Sequence, residues 1–204
     1  MKVLVIDYGM GNVGSVKRAL EECGAGEVVI SNDHRDFADC THAILPGVGA
    51  FPDAMQNLYS YGLVDPIKKL TLEDKVPFLG ICLGMQLLAS HGTEVTDQAG
   101  LDLVPGRVEL LSPQNGERVP HAGWNEVNIT RHDNIFDHIS NKADFYFVHS
   151  YHFIPEETGH ILACTPYCGE FVSVVRKENI IGAQFHPEKS SFTGFRLLKN
   201  FLNL

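Results

Sequence analysis

Strands alternating with helices through the first half of the chain predict an α/β fold with a parallel central sheet. Short apolar runs at 3–6, 27–30, 43–45 and 76–79 read as strands buried on both faces. Helical stripes or glycine-rich turns separate them. From Gly106 the pattern shortens to strand-like pieces at 107–111, 126–130, 145–149, 160–163, 171–176 and 180–185. These read as sheet extensions, some of them antiparallel. The expected architecture is an open, mostly parallel twisted sheet with helices on both faces and antiparallel extensions, as one domain over residues 1–204.

In order, the 3–6 strand ends at Asp7, and 8–14 forms a glycine-rich turn before a helix at 15–22 that Gly24 and Gly26 end. Pro46-Gly-Val-Gly49 reads as a loop rich in residues for unusual backbone angles, followed by helices at 53–61 and 63–72. Val76-Pro-Phe-Leu then enters Gly80-Ile-Cys-Leu-Gly84, and Met85, Leu87 and Leu88 form a helical stripe with Gly92 in C-cap position. A helix at 192–202 closes the fold.

With 204 residues, 44% of them hydrophobic, the chain supports a substantial core. A formal net charge of −9 argues against a nucleic-acid partner bound through phosphates. No apolar run approaches the roughly 20 residues that span a bilayer. The strand-like start carries no secretory pattern. Five cysteines, an odd and sparsely spaced number, suit a reducing cytoplasm better than a disulfide framework.

The chemistry centres on Cys82. Glycine, one residue, nucleophile, one residue, glycine between a strand and a helix is the strained elbow that lifts a reactive side chain clear of a sheet. A Cβ at either glycine would collide with the adjoining strand or helix. Helix-start N–H groups favour a thiolate and can hold an oxyanion. Such a nucleophile needs a base and a group that orients the base. Of ten histidines, His186 is best placed, since an apolar strand at 180–183 runs into it. Glu188, two residues on in extended chain, shares its face and can take the ring N–H not used toward Cys82.

Pro46-Gly-Val-Gly49 is either a plain glycine turn or a second source of oxyanion N–H groups. His149-Ser-Tyr-His152 is either a strand end with packed aromatics or a holder of a substrate's polar end. Gly9-Met-Gly11-Asn-Val-Gly14 matches the dinucleotide fingerprint, with Asp33 near the ribose-acid position. However, Asp7 and Tyr8 separate it from its strand, so a tight turn is the better reading, with a partner contact open. His149, His152, Cys164 and Cys168 lack metal-ligand spacing, and no metal is expected.

Gly80-Ile-Cys-Leu-Gly-Met-Gln86 together with Gln184-Phe-His-Pro-Glu188 resembles the class I (triad) glutamine amidotransferases. Five further stretches, Asp7-Tyr-Gly-Met-Gly-Asn12, Leu45-Pro-Gly-Val-Gly-Ala-Phe51, Pro120-His-Ala-Gly-Trp-Asn125, Phe145-Tyr-Phe-Val-His-Ser-Tyr-His152 and His186-Pro-Glu-Lys-Ser190, are similar to one branch, the glutaminase subunits of imidazole glycerol phosphate synthases. They cover essentially the whole chain in order.

The resemblance implies a flavodoxin-like fold and a Cys82–His186–Glu188 triad that cleaves the side-chain amide of L-glutamine through a glutamyl thioester. It implies oxyanion N–H groups from Val48 and Leu83, with a Val48 peptide that can rest in the wrong orientation. Gly49, Gln86 and the Ser150–Tyr151 backbone would hold glutamine, and Glu94 would pair with its α-amino group. No cofactor is implied. The ammonia would pass to a (β/α)8-barrel cyclase that makes imidazole glycerol phosphate and an aminoimidazole carboxamide ribotide. Asn12, Trp124, Tyr146 and Lys189 would meet that partner. Trp124, the only tryptophan, is expected in a Gly-Trp-Asn loop, as an interface anchor or a core aromatic. Alternatives within the family are the amidotransferase components for anthranilate, aminodeoxychorismate or pyridoxal phosphate synthesis. A non-enzymatic relative that keeps only the fold is a further alternative.

Overall fold

The structure, a computed structural model, describes residues 1–114 and 116–204. Its first half is a doubly wound α/β unit: β1 (Lys2–Ile6), α1 (Val13–Glu22), β2 (Glu27–Ser31), α2 (His34–Ala38), β3 (His42–Gly47), α3 (Phe51–Ser60) and α4 (Val64–Lys68). One π-helical turn, Lys69–Glu73, extends α4 before β4 (Phe78–Cys82) and the four-residue α5 (Leu83–Gln86). Two short strands follow, β5 (His91–Gly92) and β6 (Gln98–Ala99), then β7 (Gly106–Leu110), β8 (His121–Ile129), β9 (Ala143–His149) and β10 (Tyr151–Pro155). The chain ends with β11 (Ile161–Thr165), β12 (Phe171–Lys177), β13 (Ile180–Ala183) and α6 (Ser191–Phe201).

Nine strands form the main sheet, in the order β2-β1-β3-β4-β13-β12-β11-β8-β9. The first five are parallel and the last four antiparallel. Alternation along β1 shows why both faces are apolar. Val3 and Val5 pack with Val16 and Leu20 of α1 and Leu198 and Phe201 of α6. Leu4 and Ile6 pack on the other side with Phe51, Met55 and Leu58 of α3 and Ile67 of α4. Each face buries a full stripe, so the strands read as continuous hydrophobic runs. A second sheet, β10-β7-β5-β6, stands beside the first and was not expected from the sequence.

Several boundaries differ from expectation. Pro46 and Gly47 belong to β3 rather than to a loop. Pairing with β1 stops at Ile44, while pairing with β4 continues to Gly47 opposite Cys82, so Pro46 lacks a neighbour on one side only. The elbow helix is a single turn, and Gly92 is not its cap but a residue of β5. A Cβ on Gly92 would sit 2.9 Å from the Phe51 ring, so packing explains that glycine. Trp124 lies within β8, which starts five residues earlier than the apolar pattern at 126–130. Helix α1 begins at Val13, ahead of the expected 15–22, because the Asn12 side chain accepts the Ser15 N–H.

The glycine-rich turn at 8–14 is tied down by packing. Asp7 Oδ1 accepts the Gly9 N–H at 3.0 Å, and a Cβ on Gly11 would lie 3.3 Å from the Pro46 carbonyl. Asp33 caps α2 by accepting the Arg35 N–H and pairs with the Arg35 guanidinium.

Candidate active site

Cys82 is the last residue of β4 and has φ 55°, ψ −110°, a conformation that L-residues rarely adopt. The turn closes because its glycines leave room. A Cβ on Gly80 would come within 2.5 Å of the Gly84 carbonyl, and one on Gly84 would overlap the Leu45 carbonyl of β3. Both glycines of the elbow are therefore required by close approach, as the motif predicts.

Strand β13 lies next to β4 with Gly182 opposite Gly80 and Ala183 opposite Ile81, so the chain beyond it reaches the same sheet end as Cys82. His186 sits there with its N–H donated to the Tyr146 carbonyl of β9. Its ring Nδ1–H donates to Glu188 Oε1 at 2.8 Å, and the two side chains are 3% and 2% exposed. The chain turns at 187–189 in a short 3-10 turn, so Glu188 reaches the ring by curling back, not from extended chain. Burial disfavours a charged His186, but the flanking Cys82 and Glu188 side chains outweigh it and raise the pKa to about 9.

His186 Nε2 is buried and makes no hydrogen bond. The Cys82 Sγ instead makes long contacts of 3.8 Å to the Val148 carbonyl and to Gln184 Nε2. Thiol and imidazole are thus electrostatic neighbours whose hydrogen bond is not yet made. Catalytic hydrogen bonds are commonly loose before substrate binds.

Cys82 opens into a cavity of about 340 Å³ lined by Val48, Gly49, Leu83, Gln86, Glu94, Val148, His149, Ser150 and Tyr151. All the residues expected to bind substrate or an oxyanion are among them. Gly49 has φ 114° and would press a Cβ to 2.6 Å from the Met10 methyl. Glu94 accepts the Phe51 N–H through Oε2 at 2.7 Å, which anchors the carboxylate at the start of α3. Gln86 Nε2 donates to the Tyr151 carbonyl at 2.8 Å and to Gln184 Oε1 at 3.1 Å. A larger cavity, about 680 Å³, lies away from the elbow between α2 and the α4 region. It holds no nucleophile, so volume alone does not locate the chemistry.

A family profile described as glutamine amidotransferase class-I matches residues 4–204. The chain belongs to the class I glutamine amidotransferase family. Among its relatives, an imidazole glycerol phosphate synthase subunit HisH of Moorella thermoacetica is 47% identical over 98% of this amidotransferase and 93% of that protein. The same-named proteins of Aquifex aeolicus and Pelagibacter ubique are 45% and 41% identical, over 96% and 100% of their lengths. In fold, the amidotransferase resembles a crystal structure of a glutamine amidotransferase, with TM-score 0.76 and 20% identity over 98% and 97% of the two chains. It also resembles a structure of PurLQS from Thermotoga maritima, with TM-score 0.73 and 19% identity over 99% and 97%.

Of the residues expected at a partner surface, Trp124, Tyr146 and Lys189 lie near His186 and Glu188. Trp124 of β8 is 54% exposed and paired in register with Tyr146 of β9, their rings 6.0 Å apart edge to face. The exposed Lys189 ends the 3-10 turn behind Glu188, and the exposed Asn12 caps α1.

Two residues beside Cys82 lie in stretches that carry the family resemblance but had no role assigned from sequence. Gln184 joins Cys82 to Gln86, but in sequence it is one polar residue at the end of an apolar strand. Tyr8 is 1% exposed, and its hydroxyl, which has no hydrogen-bond partner, lies where a Cβ on Gly47 would be. Burial first, then the nearby charge of Cys82, push its phenol well above the ordinary range. Only the register of β3 against β4 reveals that neighbourhood.

Among the described residues, no helix is long and apolar enough to cross a membrane, and no three His, Cys, Asp or Glu gather as metal ligands.

Proposed function

We propose that this chain is the glutaminase subunit of an imidazole glycerol phosphate synthase, working on L-glutamine with Cys82 as nucleophile, His186 as acid–base and Glu188 as its orienting carboxylate. The observation that carries the reading is the buried His186–Glu188 pair beside a cysteine in a strained elbow, at the floor of a cavity sized for an amino acid. The full-length relatives supply the specific reaction.

With glutamine bound, the Cys82 thiolate attacks the side-chain amide carbon, and the imidazolium delivers a proton to the departing nitrogen. Ammonia leaves and a γ-glutamyl thioester remains. His186, now neutral, takes a proton from water as its oxygen attacks the thioester, releasing glutamate and the thiolate. Glutamine and water are consumed; glutamate and ammonia are formed. Backbone N–H groups of Leu83 and Val48 serve the oxyanion. Each such donor contributes roughly 3 kcal/mol in the transition state. Gln86 and the Ser150–Tyr151 backbone hold the amide end, and Glu94 takes the α-amino group. Ammonia is mostly protonated in neutral water and then no longer nucleophilic. It is therefore passed directly to a (β/α)8-barrel cyclase docked over Trp124, Tyr146, Lys189 and Asn12.

Mixing the chain with its cyclase, the cyclase ligand and glutamine should release glutamate. Cys82→Ala should lower that rate by at least about 10³-fold while the complex still co-elutes. Glutamate release that survives Cys82→Ala, or that never occurs, would refute the assignment.

A further inference from the structure

The wall of the cavity opposite the elbow is the corner at Ser150, where the chain leaves β9 of the large sheet for β10 of the small one. Its backbone is held on one side, where the Ser150 carbonyl accepts the Leu111 N–H at 2.8 Å. Side chains hold it on the side of the elbow. The Tyr151 carbonyl accepts from Gln86 Nε2 and from His149 Nδ1, each at 2.8 Å. His149 Nε2 lies 3.1 Å from His121 Nδ1, and His121 Nε2 lies 3.2 Å from Asn125 Nδ2. Asn125 Nδ2 also donates to the Pro166 carbonyl, while its Oδ1 accepts the Glu126 N–H at 2.8 Å.

The ends of this chain fix every proton in it. A carbonyl can only accept, so His149 Nδ1 carries hydrogen. The Asn125 amide is oriented by a backbone donor on its oxygen and a backbone carbonyl on its nitrogen, so it donates to His121 Nε2. His121 must then carry its hydrogen on Nδ1 and give it to His149 Nε2. Both rings are neutral with all four nitrogens satisfied. Neither terminus can release or take a proton, so the chain is no proton wire. It is a strut. His121 is clamped between Tyr167 and Phe147, at 4.0 and 4.9 Å between ring centres. Burial above all holds His121 and His149 neutral, with pKa values lowered to about 4 and about 3.

We infer that His121 and His149 are positioning residues for glutamine cleavage: as a tautomer-locked pair they hold the Ser150–Tyr151 corner against Gln86 and thereby set the affinity for glutamine. This rests on the glutaminase reading above. Neither ring attacks, protonates or deprotonates anything. Their effect passes through the Tyr151 carbonyl and falls on substrate binding rather than on the chemical step.

The first test is nitrogen NMR of the imidazoles in the complex at pH 6. Both rings should be neutral and protonated at Nδ1; a charged ring or an Nε2–H tautomer at either position would overturn the strut. The second uses His121→Phe, which keeps the ring stack but removes the donor, and His121→Gln, which can restore an N–H. With the cyclase and its ligand present, His121→Phe should raise KM for glutamine at least tenfold with kcat within threefold of the parent. His121→Gln should recover most of that loss. An unchanged KM in His121→Phe, or a loss confined to kcat, would overturn the inference while leaving the glutaminase reading intact. A parent complex that releases no glutamate would instead overturn the glutaminase reading, and this inference with it.

Discussion

The acid–base properties of His186 follow from what stands on either side of its ring. Glu188 is buried with Oε2 unpartnered, a costly position for a carboxylate unless a cation lies beside it. His186 is that cation, with its pKa raised to about 9. The alkaline limb of the kcat/KM profile should therefore fall with an apparent pKa near 9. Glu188→Gln should move that limb downward and lower kcat by about 10²–10⁴-fold, since the ring loses both its charge partner and its tautomer. A limb that stays in place would remove Glu188 from the triad. Stability carries the same signature. A group whose pKa rises on folding, here from 6.5 to about 9, contributes fully below the unfolded value, and that contribution is lost as pH climbs through the folded value. Melting temperature should drop between pH 6.5 and 9 in the parent and less so in Glu188→Gln.

That Cys82, His186 and Glu188 meet was legible in the sequence because each sits in a motif whose spacing has a mechanical cause. The contacts of Gln184 and Tyr8 were not, although both residues sit in such motifs, because their partners come from other strands. At the level of elements, the same division holds. The elbow was legible since glycine is the only residue that fits twice against neighbouring backbone. Gly84→Ala tests this directly: its methyl would overlap the Leu45 carbonyl, so the elbow helix α5 must move off β3. We expect a loss of roughly 3–4 kcal/mol, or about 6–16 °C in Tm, or failure to fold. A near-normal melting curve would mean that α5 tolerates a shift the geometry does not allow. What stayed hidden were boundaries set by neighbours. β3 runs on through Pro46 and Gly47 because β4 pairs with it there, and β8 takes in Trp124 because β9 lies alongside. The small second sheet was hidden for the same reason: two-residue strands carry no periodicity to read.

At the scale of the whole molecule, what the amidotransferase leaves uncovered matters most. Strand β9 is the edge of the nine-stranded sheet, but its outer backbone at Tyr146 is taken by the His186 N–H and the Ser190 hydroxyl, so a partner meets side chains there rather than a free ladder. Tyr146 and Val148 share its outward face, Trp124 stands across from Tyr146, and Val148 and Val48 rim the cavity of Cys82. Val48, Trp124 and Val148 are 43%, 54% and 38% exposed, a patch of large apolar side chains around the mouth of a site that must keep ammonia out of water. One partner closing over this patch would bury it and seal the exit together. Trp124 is its largest member and the natural anchor. Trp124→Ala should raise the cyclase concentration needed for half-maximal glutamate release by about 10–100-fold, equivalent to roughly 1.4–2.8 kcal/mol. Because Trp124 is an exposed strand residue, Tm of the free chain should move little, and saturating cyclase should restore most of the activity. If half-saturation does not change, the cyclase docks elsewhere, and the exposed tryptophan needs another explanation.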